Sequence, residues 1–291
     1  LASRNWSCNG TVPCFTETHG TEIHYIPYEF EDLYFPERIW NEFDKTILFE
    51  WGQEVWYASI ILAVLYAVGV HVGQKLMENR PAFELKWPLI LWNGGLSLFS
   101  LMGTIRMGEE FLYVMRTRPL LDSISYSCDM HQPAAFWGLL FTISKVFELG
   151  DTVFVVLRKK PLIFLHWYHH AAVLVYTVHA TSELVAGARV FATMNYAIHT
   201  IMYAYFSLTA AGIKFPRLLS MTITTLQTAQ MFVGVAITFT VAYLKFNGNV
   251  VQQSVENLAI CFTIYVSFAV LFMSFFAKSY FSEKGKKVKV Q

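Results

Sequence analysis

The sequence predicts an all-α membrane protein: seven transmembrane helices enclosing a polar chamber, with a lumenal N-terminus and a cytosolic C-terminus. Three observations carry that prediction. The chain is 55% hydrophobic, 16% aromatic and only 15% charged, with mean hydropathy +0.40, whereas a soluble domain carries about a quarter charged residues. Apolar stretches near the length that spans a bilayer, about 20 residues, recur seven times. Ionisable groups nevertheless fall inside those stretches at helical spacing, and a charge inside a membrane costs at least a few kcal/mol unless it faces the bundle interior.

Residues 1–54 differ in kind from the rest. They hold ten acidic and three basic residues and two glycosylation sequons, Asn5-Trp6-Ser7 and Asn9-Gly10-Thr11. Both features suit a lumenal tail. Within it Ile39, Trp40, Phe43, Ile47, Leu48 and Trp51 recur at helical spacing among acidic residues, which reads as an interfacial helix on the lumenal surface.

The spans follow at roughly 55–73, 87–105, 134–157, 162–181, 187–211, 218–244 and 256–280, and form one seven-helix unit over 55–280. An odd number places the two ends on opposite sides. With the N-terminus outside, cytosolic segments carry thirteen basic residues, from Lys75 to Lys289, against five opposite: Arg106, Arg116, Arg118, Arg189 and Lys245. That bias supports the orientation. Residues 281–291 form a basic cytosolic tail ending Lys287-Val288-Lys289-Val290-Gln291, which resembles the Lys-x-Lys-x-x retrieval signal of endoplasmic-reticulum membrane proteins.

A net charge of +1 with no arginine-rich arm gives no sign of nucleic-acid binding. Four cysteines without a Cys-x-x-Cys pair argue against zinc or redox chemistry. Cys128 falls in the loop after the second span and Cys261 opens the last span from the same side. A lumenal compartment permits disulfides, so a Cys128–Cys261 bridge is expected, with Cys8–Cys14 as a second pairing.

Residues three or four apart share a helix face. Lys145, Glu148 and Asp151 step by three along the third span, and His166, His169 and His170 form one face of the fourth. Asn195, His199 and Tyr203 step by four along the fifth; Thr224, Gln227 and Gln230 step by three along the sixth. Four consecutive helices thus each present one polar stripe, which predicts a polar chamber opening toward the cytosol. Lys145 with Glu148 also reads as an ion pair fixing helix packing, and Gln227 and Gln230 as hydrogen-bond glue between helices.

Two chemistries fit the histidine face. Three histidines and two carboxylates could hold one metal, as in a membrane lipid hydroxylase or desaturase, although a di-iron set with its three histidine boxes is lacking. Alternatively, an imidazole in a water-poor chamber is a competent acyl acceptor. A third reading makes the charged face the ligand or proton path of a seven-helix receptor or transporter.

Several motifs then occur in order: Lys145-x-x-Glu148-x-x-Asp151-Thr152, Phe164-Leu165-His166-Trp167-Tyr168-His169-His170, Met194-Asn195-Tyr196-Ala197-Ile198-His199, Met202-Tyr203-Ala204-Tyr205 and Thr224-x-x-Gln227-x-x-Gln230. The set resembles the fatty-acid elongase family, the very-long-chain 3-oxoacyl-CoA synthases of the endoplasmic reticulum, over roughly 50–280. The Trp-Tyr inside the box is similar to the branch acting on saturated and monounsaturated chains; the long acidic tail departs from the family. The resemblance implies condensation of a long-chain acyl-CoA with malonyl-CoA to 3-oxoacyl-CoA, CO2 and CoA, with no metal and no cofactor. It makes His169 the nucleophile, with His199 and Asn195 meeting the intermediate. His166, His170, Glu148, Asp151 and Lys145 would orient imidazoles and handle protons. Tyr203, Gln227 and Gln230 would line the substrate site, and Lys159, Lys160, Lys214, Arg217 and Lys278 would hold CoA phosphates at the cytosolic mouth. Membrane lipid, other enzymes of the elongation cycle and a second copy of the chain are the partners it brings to mind.

An acyl tunnel closed at the lumenal end would then measure chain length. From His169 to Thr181 is ~18 Å of helix, which at ~1.5 Å per carbon–carbon bond corresponds to roughly a dozen to fifteen carbons. Phe136, Trp137, Phe239 and Tyr243 are the bulky residues expected at that depth.

Overall fold

The structure, a computed structural model, describes residues 14–16, 22–42 and 45–281. Asn5, Asn9, Cys8 and the Lys287–Lys289 motif lie outside the described residues. Among the described residues the architecture is helical, with seven helices of 19 residues or more: α3 Ala58–Met77, α4 Lys86–Thr117, α6 Pro133–Leu157, α7 Phe164–Ser182, α8 Ala188–Ala211, α9 Arg217–Phe246 and α10 Val255–Tyr280. Shorter helices are α1 Phe35–Glu42, α2 Lys45–Val55 and α5 Asp122–Ser125. Four of them, α3, α4, α9 and α10, are long and apolar enough to cross a membrane, so the protein is a multi-pass membrane protein. α6, α7 and α8 carry the polar stripes, Lys145, Glu148 and Asp151 on α6 among them.

Local chemistry sets the ends of these helices. Pro133 opens α6, where its missing N–H costs nothing. Ser254 caps α10, its hydroxyl accepting from the Asn257 N–H at 3.0 Å. Gly212 ends α8 at φ +109°, a conformation that spares Gly the Cβ penalty. α4 and α8 pack closely because Gly103 leaves room for the Tyr196 ring; any Cβ there would collide with it.

Two features depart from the expectation. The first is a small sheet of three strands: β1 Cys14–Thr16, β2 Glu22–Ile26 and β3 Ser127–Cys128. β1 pairs antiparallel with β2, and β2 pairs parallel with β3, Ile26 opposite Cys128. The second is the length of α4, which runs on past 105 to Thr117 and so makes Arg106 helical and buried. The extension is stable because its charges are paired. Arg106 donates to Glu37 of α1 at 2.7 and 2.6 Å, and Arg189 of α8 donates to Glu110 at 2.8 and 2.7 Å. Arg189 also donates to the carbonyls of Ser123, Tyr126 and Ser127. Both arginines, expected in loops, are internal posts.

Together these contacts fold residues 22–42 and 45–55 into a cap over one end of the bundle. Trp40 and Phe49 are buried with Ile23, Met130, Ala135 and Leu184, while Ile39 and Trp51 stay exposed. The expected interfacial helix is thus two helices whose inner face packs on protein. Tyr28 donates to Glu109 at 2.8 Å, and burial together with that carboxylate pushes its phenol up to about 12.

The expected Cys128–Cys261 bridge does not form; both are free thiols. Cys128 is held by the β2–β3 pairing and packs on the cap cluster, whereas Cys261 sits in a separate cluster formed by α7, α8, α9 and α10, with Thr238 Oγ1 3.4 Å away. Burial pushes the Cys128 thiol up to about 12, and only the thiolate reacts. Alkylation of the native protein at pH 8 should leave Cys128 unlabelled, with labelling after denaturation without reductant; a crosslinked peptide in non-reducing mass spectrometry would refute this.

Burial alone would raise the Glu37 carboxyl, but hydrogen bonds from Arg106, the Tyr34 N–H and Trp137 outweigh it and hold it below 4.5. The stability it contributes is therefore complete above pH 4.5 and lost as pH falls through the lowered value. Glu37→Gln strands a buried guanidinium and should cost about 3–5 kcal/mol at neutral pH. Thermal unfolding of wild type and variant should converge on acidification below that point; a gap independent of pH would contradict the assignment.

Candidate active site

Away from the cap, α6 and α8 join their polar stripes. Lys145 Nζ and Glu148 Oε1, one turn apart on α6, pair at 2.7 Å with both side chains buried. Lys145 also donates to Asn195 Oδ1 on α8 at 3.0 Å, and Ser144 Oγ donates to Glu148 at 3.2 Å. Asn195 Nδ2 stands 3.3 Å from His199 Nε2, and His199 Nδ1 stands 3.7 Å from Glu148 Oε1. An ammonium only donates, so Asn195 must accept with its oxygen and donate with its amide. A neutral His199 then accepts at Nε2 and carries its proton on Nδ1, toward Glu148. The polarity of the whole network follows from Lys145.

The histidine box lies on the adjoining face of α7. The His166 and His170 ring centroids are 4.7 Å apart, and those of His169 and His170 5.6 Å. His169 stands within electrostatic reach of His199, Lys145 and Glu148. On its other side are phenyl rings of α10, Phe268 at 4.7 Å and Phe272 at 5.8 Å. His169 makes no hydrogen bond among the described residues, and it is partly accessible, so an imidazole nitrogen is free to meet a ligand. His166 is different: its Nε2 lies 3.0 Å from Thr152 Oγ1, which is 2.6 Å from the Tyr66 hydroxyl of α3.

Asp151 sits between two donors, Trp92 Nε1 and the Tyr203 hydroxyl, each at 2.7 Å. The Tyr203 ring meets His199 edge-on at 5.3 Å, linking this clamp to the first network. Gln227 donates to Met202 Sδ at 3.0 Å and so ties α9 to α8, while Gln230 is buried on α9. Among the described residues no three His, Cys, Asp or Glu side chains are placed to hold one metal ion.

The basic residues named for phosphates are exposed at the box end, and two already have work there. Lys159 donates to the carbonyls of Glu78 and Arg80 at the end of α3, and Arg217 to those of Ser279 and Tyr280 at the end of α10. Lys160, Lys214 and Lys278 are exposed nearby. The four bulky residues expected at the tunnel floor separate. Phe239 is 58% and Tyr243 69% exposed on the outer face of α9, which excludes them. Trp137 is buried and donates to Glu37 at 2.8 Å; Phe136 packs beside Trp40. Their helical phase turns the α9 pair outward, and periodicity alone does not fix that phase.

Comparison with known proteins decides the kinship. The sequence profile of the GNS1/SUR4 (ELO) family matches residues 51–288. The chain belongs to the GNS1/SUR4 family. A Caenorhabditis elegans protein carried under the provisional name fatty acid elongase 4 is 49% identical over 245 residues, covering 84% of this chain and 83% of the relative. Very long chain fatty acid elongase 6 of Drosophila melanogaster is 40% identical, covering 89% of this chain and 81% of its own length. The protein of the same name in Mus musculus is 37% identical, covering 91% and 96%.

Sequence reasoning missed Trp92, Tyr66, Phe268 and Phe272 in this GNS1/SUR4 site. Each is an aromatic among many in an apolar helix, and only packing distinguishes it. Arg106 and Glu110 did carry a signal, charges one turn apart directly following an apolar run.

The Lys145–Glu148 pair gives a separable test. Lys145→Met leaves a buried carboxylate without its cation and should cost about 3–5 kcal/mol. Adding Glu148→Gln should recover most of that loss, a coupling visible in a double-mutant cycle of thermal unfolding. Additive losses would show that the two groups do not interact.

Proposed function

We propose that this protein is the condensing enzyme of fatty-acid elongation, a very-long-chain 3-oxoacyl-CoA synthase of the endoplasmic-reticulum membrane. The observation that carries this reading is the convergence of Lys145, Glu148, Asn195 and His199 beside the His166–His169–His170 face, in a chain of the GNS1/SUR4 family with relatives named fatty acid elongases. The seven long helices are its seven spans, with the cap lumenal and the box end cytosolic, where the basic residues gather.

In this mechanism a His169 nitrogen attacks the thioester carbonyl of a long-chain acyl-CoA. The carbon–sulfur bond breaks, the ring N–H proton of His169 passes to the sulfur so that CoA leaves as its thiol, and the acyl group stays on the neutral imidazole. Malonyl-CoA then loses CO2, and the electron pair of the broken carbon–carbon bond forms the new bond to the acyl carbon. The carbon–nitrogen bond breaks as the departing imidazole takes up a proton from water, restoring His169 and releasing 3-oxoacyl-CoA. In this reading the second amide proton of Asn195 Nδ2, beyond the one directed at His199, donates to the oxyanion that develops at the acyl carbon. Glu148, held by Lys145, orients His199; Asp151, held by Trp92 and Tyr203, borders the same chamber. Lys160, Lys214 and Lys278 are the cations best disposed for CoA phosphates, since Lys159 and Arg217 hold helix ends.

Purified protein incubated with labelled acyl-CoA alone should retain label on a peptide containing His169, and adding malonyl-CoA should discharge it. His169→Ala should abolish labelling and lower condensation at least about a thousandfold without changing thermal stability. Activity should survive a strong chelator. Loss of wild-type turnover on chelation, or full labelling of the His169→Ala variant, would overturn the covalent route.

A further inference from the structure

Condensation consumes one proton per turnover. Malonyl-CoA brings a carboxylate that leaves as neutral CO2, while the other CoA departs as its thiol. A solvent proton must therefore reach the histidine box in every cycle. The network of Lys145, Glu148, Asn195 and His199 holds its hydrogen bonds in one direction, because an ammonium only donates. It cannot reverse to pass a proton along.

A second polar line ends at the box and has no such anchor. The Tyr66 hydroxyl of α3 lies 2.6 Å from Thr152 Oγ1 of α6, which lies 3.0 Å from His166 Nε2 of α7. Among the described residues neither the Tyr66 hydroxyl nor the His166 ring has another hydrogen-bond partner. A hydroxyl both donates and accepts, and a neutral imidazole holds its proton on either nitrogen. The line can therefore run in two directions. In one, Tyr66 donates to Thr152 and Thr152 to Nε2, with the ring proton on Nδ1. In the other, Nε2–H donates to Thr152 and Thr152 to Tyr66, leaving Nδ1 bare. Passing from the first to the second releases one proton at Nδ1 and takes one in at Tyr66.

The placement suits that traffic. Thr152 is 0% exposed, while Tyr66 and His166 are both partly accessible, so a sealed hydroxyl bridges two groups that solvent can approach. Thr152 lies five residues before the end of α6 at Leu157, ~8 Å along the axis. His166 precedes His169 on α7, whereas the α7 wall of an apolar cavity of about 70 Å³, Tyr176 to Thr181, follows it; Phe49 of α2 and Phe141 also line that cavity. Proton line and apolar space thus fall on opposite sides of His169 along the helix. The His170 ring stands between the other two, 4.7 Å from His166 and 5.6 Å from His169.

We propose that Tyr66 and Thr152 are positioning residues that bring the solvent proton to the box through His166; this rests on the acyl-transfer reading above. As the carbon–nitrogen bond of acylated His169 breaks, its electron pair stays on the ring nitrogen, which takes a proton from His170. His170 takes the proton of His166 Nδ1, and His166 Nε2 takes that of Thr152. Thr152 Oγ1 takes the Tyr66 proton, and Tyr66 takes one from solvent. Every group but His169 ends with the protons it began with, and a flip of the His166 ring with rotation of the hydroxyls resets the line. The first half-reaction draws on no outside proton, since the His169 N–H supplies the thiol. The two half-reactions therefore depend on the line differently.

The test uses the full chain and follows two single-turnover steps separately: transfer of labelled acyl from acyl-CoA to the protein, and discharge of that label by malonyl-CoA. Tyr66→Phe and Thr152→Val keep the side-chain shapes and remove the hydroxyls. Both should acylate within about threefold of wild type yet discharge at least about a hundredfold more slowly, the contribution of a positioned proton donor. Thr152→Ser restores the hydroxyl and should discharge at close to the wild-type rate. A loss of packing alone would slow both steps together, so equal slowing overturns the relay. Discharge at the wild-type rate in Tyr66→Phe overturns it as well, as does a Thr152→Ser variant as slow as Thr152→Val. If Thr152→Val does not fold, Tyr66→Phe, at a partly accessible position, decides alone. Wild-type protein that never acquires label overturns the acyl-transfer reading and the relay with it, whereas wild type that is labelled and discharged beside unaffected variants overturns the relay only.

Discussion

The buried ion pair between Lys145 and Glu148 constrains the rest of the molecule. Two charges within apolar helices are tolerated only when each is paired and its remaining hydrogen-bonding capacity is met. Meeting it requires Asn195 and His199 from α8 and Ser144 from α6 itself. The pair therefore fixes which faces of α6 and α8 look inward. α7 follows with its histidines on the adjoining face, and the aromatic rings of α10 close the remaining side. Because lysine can only donate, the pair also fixes the direction of every hydrogen bond in the network and the tautomer of His199.

At the other end of the bundle the same rule applies with arginine. Arg106 and Arg189 are buried, and each is met by a carboxylate and by backbone carbonyls. These arrangements fasten the cap and the 118–132 connection to α4 and α8. Between the polar networks at the two ends lies an apolar cavity, so the interior runs from ionic to apolar to ionic. Such a profile suits a ligand with a reactive polar head and a long apolar body, as the kinship with fatty acid elongases would require.

The histidine site was largely legible in the sequence because its groups are polar residues in an apolar background. Lys145, Glu148, Asp151, Asn195, His199 and the box could be grouped by spacing alone, and α6 to α8 do bring those residues into contact or electrostatic range. The aromatic partners Trp92 and Tyr66 could not be found this way, since an aromatic residue is as welcome against lipid as in a core. The floor residues were misjudged for a related reason: Phe239 and Tyr243 lie at the expected depth but on the lipid-facing side of α9. The disulfide was misjudged because shared topology says nothing of distance, and Cys128 and Cys261 pack in different clusters.

By itself the sequence determined the helical membrane class, the lengths and order of the helices to within a few residues for most of them, and the family, because hydropathy and polar spacing along one chain carry that information. It also placed His166, His169 and His170 on one face of α7, since helical periodicity is a local property. Only the tertiary structure decided that α4 continues to Thr117, that Glu37 reaches Arg106 and that the acidic segment folds into a cap with Phe49 at the cavity wall. Those outcomes depend on pairings across 69 residues of chain for Glu37 and Arg106, and on the side chains of one element filling the gaps left by another. No local pattern encodes such complementarity; it exists only when the surfaces meet.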